Sequence, residues 1–135
     1  MKRLLLMLLT AVTLFAEVNW RPDYASALAE AKRDGKPLMV LLVSHTCRWC
    51  RRLENRTLEN PEVSAFINRH FVPVLLYRED RNRPEFIRSS MVPTTFFLTP
   101  QQKNIVKPVV GYWEPSDYLS DLRLALKKFQ TRRAP

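Results

Sequence analysis

Residues 38–50 read Leu-Met-Val-Leu-Leu-Val-Ser-His-Thr-Cys-Arg-Trp-Cys, and this stretch decides the fold. Leu38 to Val43 is a run of six apolar residues with no polar alternation. Such a run fits a strand buried on both faces, the usual condition of a strand inside a helix-covered sheet. Ser44-His45-Thr46 then leads to Cys47-Arg48-Trp49-Cys50, where a second helix is expected to begin and continue to about Leu58. Two cysteines three positions apart at a strand-to-helix junction suit redox chemistry better than cross-linking. A disulfide across two intervening residues constrains little of the unfolded chain, because the entropic gain grows with loop length.

Working outward, Pro22-Asp23 opens a helical pattern carried by Tyr24, Ala27, Leu28 and Ala31. Gly35 ends it, just before Pro37. On the other side, Asn60-Pro61-Glu62 is a helix start, with Asn60 as N-cap and Pro61 at the first helical position. Val63, Phe66 and Ile67 should face inward, and Phe71 to Tyr77 reads as a second buried strand. A short helix is expected around Glu85–Ser89, a third strand at Thr94–Leu98 and a fourth at Ile105–Val110. Pro115-Ser116-Asp117 opens a closing helix with Tyr118, Leu119, Leu122, Leu126 and Phe129 as its apolar stripe. Strands separated by helices predict parallel pairing, and a late hairpin adds antiparallel strands at one edge. The expected architecture is α/β, a central mixed sheet flanked by helices on both faces.

The chain has 135 residues, 46% of them hydrophobic, enough for one domain with its own core. Its opening reads as a secretory signal: Lys2 and Arg3 precede an apolar run from Leu4 to Phe15, and Ala16 offers a small residue for cleavage. The expected organisation is a signal at 1–16 and a domain at 17–135, in the periplasm or otherwise exported. The run is shorter than the roughly 18–20 residues that cross a bilayer. Retention as a membrane tether is the competing reading. The formal net charge is +9, but the basic residues are scattered and no Lys/Arg block alternates with aromatics on one face. That argues against nucleic-acid recognition and allows weak attraction to acidic partners or anionic surfaces.

A cysteine at a helix N-terminus meets unpaired backbone N–H groups and the positive end of the helix dipole. Both favour thiolate, so Cys47 is the expected nucleophile and Cys50, one turn in and more buried, the resolving thiol. Arg48, Arg51 and Arg52 add positive charge that either tunes the thiolate or only extends into solvent. Trp49 reads as a flat platform for a partner or as an exposed aromatic without special role. Two other chemistries share these residues. Cys47, Cys50 and His45 could hold copper(I) or zinc, and a static disulfide could sit in a redox-inactive binding domain.

With Val92-Pro93-Thr94 ahead of a strand, the order of strand, C-x-x-C and helix resembles the thioredoxin superfamily. Cys50–Glu54, Thr57-Leu58, Asn60–Val63, Ala31–Pro37 and Gly111-Tyr112 resemble a subgroup of exported thioredoxin-like domains. The C-terminal domain of the transmembrane disulfide reductase belongs with that subgroup. The resemblance implies a thioredoxin-like fold and a redox-active Cys47–Cys50 disulfide. It implies a cis peptide bond at Pro93, and docking of partner chains on Val92, Pro93, Thr94 and Trp49. It further implies protein disulfide or dithiol clients, a membrane electron donor, action as a monomer, and no separable cofactor. Two positions depart from the pattern. Leu41, six residues before Cys47, stands where many thioredoxins carry a buried aspartate; Glu54, one turn beyond Cys50, reads as a solvated helix glutamate near Arg51 or as a substitute base that tunes the pair, and Thr46 stands where an aromatic is common.

Overall fold

The computed structural model describes residues 16–133, so the signal expected at 1–16 lies, but for Ala16, outside the described residues. No described helix is long and apolar enough to cross a membrane. The elements are α1 (Tyr24–Asp34), β1 (Leu38–Val43), α2 (Arg48–Arg52), a π-helical turn (Leu53–Thr57), α3 (Pro61–His70), β2 (Val72–Tyr77), β3 (Thr94–Leu98), β4 (Val109–Val110) and α4 (Pro115–Arg133).

One sheet in the order β2-β1-β3-β4 organises the chain. β1 pairs in parallel with β2, from Leu38 opposite Val72 to Val43 opposite Tyr77. It pairs antiparallel with β3, from Leu38 opposite Leu98 to Leu42 opposite Thr94. All six residues of β1 are buried. Met39, Leu41 and Val43 face a core shared with α2, the π turn, α3 and α4. Leu38, Val40 and Leu42 face a second core built with α1. A period-2 strand covered on both sides has no solvent face, hence no polar alternation. Pro73, which cannot donate to a ladder, sits on edge strand β2, where its carbonyl accepts from the Arg21 backbone N–H (2.9 Å).

The helix ends follow local chemistry. The Asp23 carboxylate caps α1 by accepting from Ser26 N–H at 2.7 Å. Gly35 closes it at φ 62°, in the left-handed region that glycine enters without steric cost. Asn60 Oδ1 caps α3, accepting from the N–H groups of Glu62 (3.0 Å) and Val63 (3.2 Å). Along α4 the buried residues are Tyr118, Leu119, Leu122, Ala125 and Phe129, while Leu126 is half-buried.

The antiparallel strands lie at one edge, as the late hairpin implies: β3 runs antiparallel to β1 and β4 to β3. Three expectations are corrected. Residues 85–89 form turns rather than a helix, and the sheet topology gives the reason. β2 ends at Tyr77 opposite Val43 and β3 starts at Thr94 opposite Leu42, both at the same end of β1. The chain has only to pass over that end, so no crossover helix is required. Ile87 pins this connection into the α1-side core, and Arg83 ties it by donating to the carbonyls of Arg78 (3.2 Å) and Ile87 (2.9 Å). The fourth strand is confined to Val109–Val110; Ile105 is buried and bonds once to Phe97 O (2.8 Å). The helix expected from Cys47 to Leu58 becomes a short α-helix followed by a π-helical turn.

Candidate functional site

β1 delivers the chain to Cys47, which is the N-cap of α2 in extended backbone (φ −129°, ψ 103°). The Cys47 sulfur accepts from the Cys50 backbone N–H at 3.1 Å. The two cysteines are joined as a disulfide with their Cα atoms 5.2 Å apart. Cys47 keeps 8% of its surface exposed and Cys50 only 1%, so a partner sulfur can approach the first and not the second.

The loop before β3 faces Cys47. The Val92–Pro93 peptide bond is cis, and the Val92 carbonyl oxygen lies 3.8 Å from the Cys47 sulfur. The Pro93 carbonyl is taken by Gly111 N–H at 2.7 Å, which fastens this loop to the start of the segment after β4. Gly111 has φ 91°, a conformation other residues rarely adopt. Thr94 is buried, and its hydroxyl donates to the Met91 carbonyl at 2.7 Å. It holds the loop and does not line the surface.

Beside the disulfide loop runs an open groove of ≈ 310 Å³ lined by Trp49, Met91, Val92, Pro93, Gly111 and Tyr112. Trp49 is half-exposed and packs against Tyr112, with ring centroids 5.8 Å apart. The Arg48 and Arg52 guanidinium carbons lie 5.8 and 5.7 Å from the Trp49 ring centre, and Arg52 lies 5.4 Å from that of Tyr112. These distances match cation–π contacts. Sequence reasoning missed Met91, which carries no spacing signal; it enters the site through the turn that also places Val92 and Pro93. Gly111 and Tyr112 were visible only as part of the family resemblance.

Glu54 lies elsewhere. It is half-buried in a cleft of ≈ 210 Å³ with Glu17, Val18, Trp20, Asn55, Leu58 and Glu59, and neither cysteine lines that cleft. Burial raises its carboxyl above the usual range, while Arg51 pulls the other way. Leu41 is fully buried in apolar surroundings, so its position holds no proton acceptor. Thr46 is exposed. The His45 ring stacks on Tyr77, centroids 3.9 Å apart and planes within 10°. Among the described residues no cluster of three His, Cys, Asp or Glu side chains is placed to hold a metal ion.

A disulfide at the head of a helix, rising from the central strand of a mixed sheet and faced by a proline loop, defines the thioredoxin-like class of disulfide oxidoreductase folds. Within it, the chain belongs to the family described as "Thioredox_DsbH: Protein of unknown function, DUF255", whose model matches residues 9–125. Among solved structures it is similar to a thioredoxin from Thermus thermophilus, with TM-score 0.73 and 26% identity over 87% of this chain and 94% of that one. It is also similar to a structure described as "DsbH Oxidoreductase", with TM-score 0.66 and 22% identity over 84% of this chain and 87% of that one. Spermatogenesis-associated protein 20 of Rattus norvegicus is 30% identical over 114 residues, which are 76% of this chain. The match spans only 14% of that longer protein.

Proposed function

We propose that this chain is an exported thiol–disulfide oxidoreductase that exchanges disulfides with partner proteins through Cys47 and Cys50, working as a reductase or electron relay. The observation that carries the reading is the asymmetric disulfide itself. One sulfur caps a helix at the edge of an apolar groove, and the other is sealed one turn behind it.

In the cycle, reduced Cys47 loses its proton, favoured by the α2 N-terminus and the Cys50 N–H. The thiolate attacks one sulfur of a partner disulfide; a Cys47–partner bond forms, and the other partner sulfur leaves as thiolate and takes a proton. Cys50, deprotonated in turn, attacks Cys47, and the Cys47–Cys50 bond forms as the second partner sulfur leaves. Two electrons have passed to the partner, and a dithiol donor restores the pair. Val92, whose N–H and C=O have no backbone partner among the described residues, can pair with an extended partner chain beside Cys47. Trp49 and Pro93 line the surface that such a chain would cover. The pair is the whole redox centre, so no separable cofactor is called for. Export rests on residues 1–16, with cleavage after Ala16 and a membrane protein as electron source.

The test is trapping. Cys50→Ser should accumulate covalent adducts with client proteins through Cys47, and Cys47→Ser should accumulate none; equal trapping by both would overturn the roles. Titration of the wild-type pair against glutathione reads the direction. A potential of about −270 mV supports a reductase, and one of about −120 mV an oxidase.

A further inference from the structure

Arg48, Arg51 and Arg52 follow one another along the helix that carries the cysteines, and all three are exposed. None of them makes an ion pair among the described residues; the pairs there join Arg21–Glu30, Arg33–Asp34, Arg56–Glu114 and Arg123–Glu62. Arg48 and Arg52 both lie over the Trp49 ring, and Arg52 also over Tyr112, so two guanidiniums stand beside rings that line the groove. The groove wall itself is Trp49, Met91, Val92, Pro93, Gly111 and Tyr112, without a carboxylate. An apolar hollow with an unneutralised cationic rim is complementary to one kind of partner.

Resting on the oxidoreductase reading above, we propose that this groove selects clients whose cysteine lies in an extended segment with a large apolar side chain beside it and carboxylates flanking it. The ≈ 310 Å³ hollow accommodates one large side chain. Met91, unbranched and exposed, lets the wall adjust to aliphatic or aromatic shapes. Neither guanidinium makes an ion pair among the described residues, and each lies beside the Trp49 ring, where its planar fork can meet a carboxylate. The contacts are solvent-exposed, so the charge term steers more than it binds and is sensitive to salt.

The experiment uses the reduced full chain and three peptides, each with one cysteine joined in a disulfide to 2-mercaptoethanol. One has Leu beside the cysteine and Asp flanks, the second Leu with Lys flanks, the third Gly with Asp flanks. Each exchange rate is divided by the rate at which dithiothreitol reduces the same peptide, which removes differences in the peptide thiols. Bis(2-hydroxyethyl) disulfide reports exchange without a docking segment. The Leu/Asp peptide is expected to react about fivefold faster than the Leu/Lys peptide at low salt, with the ratio approaching one at 1 M salt. It is expected to react about tenfold faster than the Gly/Asp peptide at any salt. In the double variant Arg48→Gln/Arg52→Gln the Asp-to-Lys ratio should fall to about one; a ratio unchanged there overturns the role of the rim. Exchange of the small disulfide with equal normalised rates for all peptides, or a faster Lys peptide, overturns the selectivity and leaves the oxidoreductase reading standing. No exchange with any of the four overturns both.

Discussion

Cys47 caps α2 and Cys50 lies three positions on, buried inside it, and that difference carries the chemistry. Among the described residues no carboxylate stands behind the pair, because Leu41 fills the place of an acid with a fully buried apolar side chain. Glu54 has the right kind of perturbation, but it sits in a separate cleft. Its raised carboxyl pKa comes first from burial, with Arg51 opposing. For an acid whose folded pKa lies above its unfolded value, the folded state binds the proton more tightly, so ionisation costs stability as pH rises past the unfolded pKa of about 4.3. Glu54→Gln removes that cost. The variant should melt like the wild type at pH 3.5 and above it at pH 7, with the gap opening as pH rises past the unfolded pKa. Thermal melts at four or five pH values check this; a variant that melts lower at pH 7 would show that the ionised carboxylate is stabilising instead.

At the scale of elements, what was legible in the sequence is what short-range chemistry dictates. Asn60-Pro61 marked α3 because the cap bonds and the fixed proline φ are local, and the structure shows two cap hydrogen bonds there. Asn60→Ala leaves both donors without their side-chain acceptor. The expected loss is about 1 kcal/mol, read as a lower denaturation midpoint at unchanged m-value. Asn60→Asp should retain most of the stability, and equal midpoints for Ala and wild type would exclude the cap as a contributor. Elements set by distant contacts were not legible. The π turn at Leu53–Thr57 has no periodic signature; Thr57 is buried there, and its hydroxyl donates to the Trp113 carbonyl at 2.6 Å, a contact between segments 56 residues apart. Glu85–Ser89 reads as a short helix in the sequence, yet Ile87 there is an anchor for a loop crossing the end of β1. The candidate site divides in the same way. The C-x-x-C motif was plain from spacing, while the groove is assembled from residues 49, 91–93 and 111–112, which meet only because β3 places the proline loop beside α2.

Over the whole molecule, β1 is shared by both cores, and this ties the site to global stability. Met39 packs toward α2, α3 and α4, whereas Val40 packs toward α1, and both are fully buried. Neither core can come apart while the other keeps β1 paired to β2 and β3, so the described domain should unfold in one cooperative transition. Met39→Ala and Val40→Ala test this from opposite faces. Truncating buried Met to Ala costs about 2–5 kcal/mol, and the smaller Val40 truncation should cost less. Each variant should show one transition, coincident by tryptophan fluorescence and far-ultraviolet circular dichroism. Trp20 and Trp49 report on the side carrying α2 and α3, while the backbone signal covers both faces. If Val40→Ala split the two signals, with the backbone signal partly lost before the fluorescence changes, the α1 layer would be a separable unit. The disulfide would then ride on a core that holds without it.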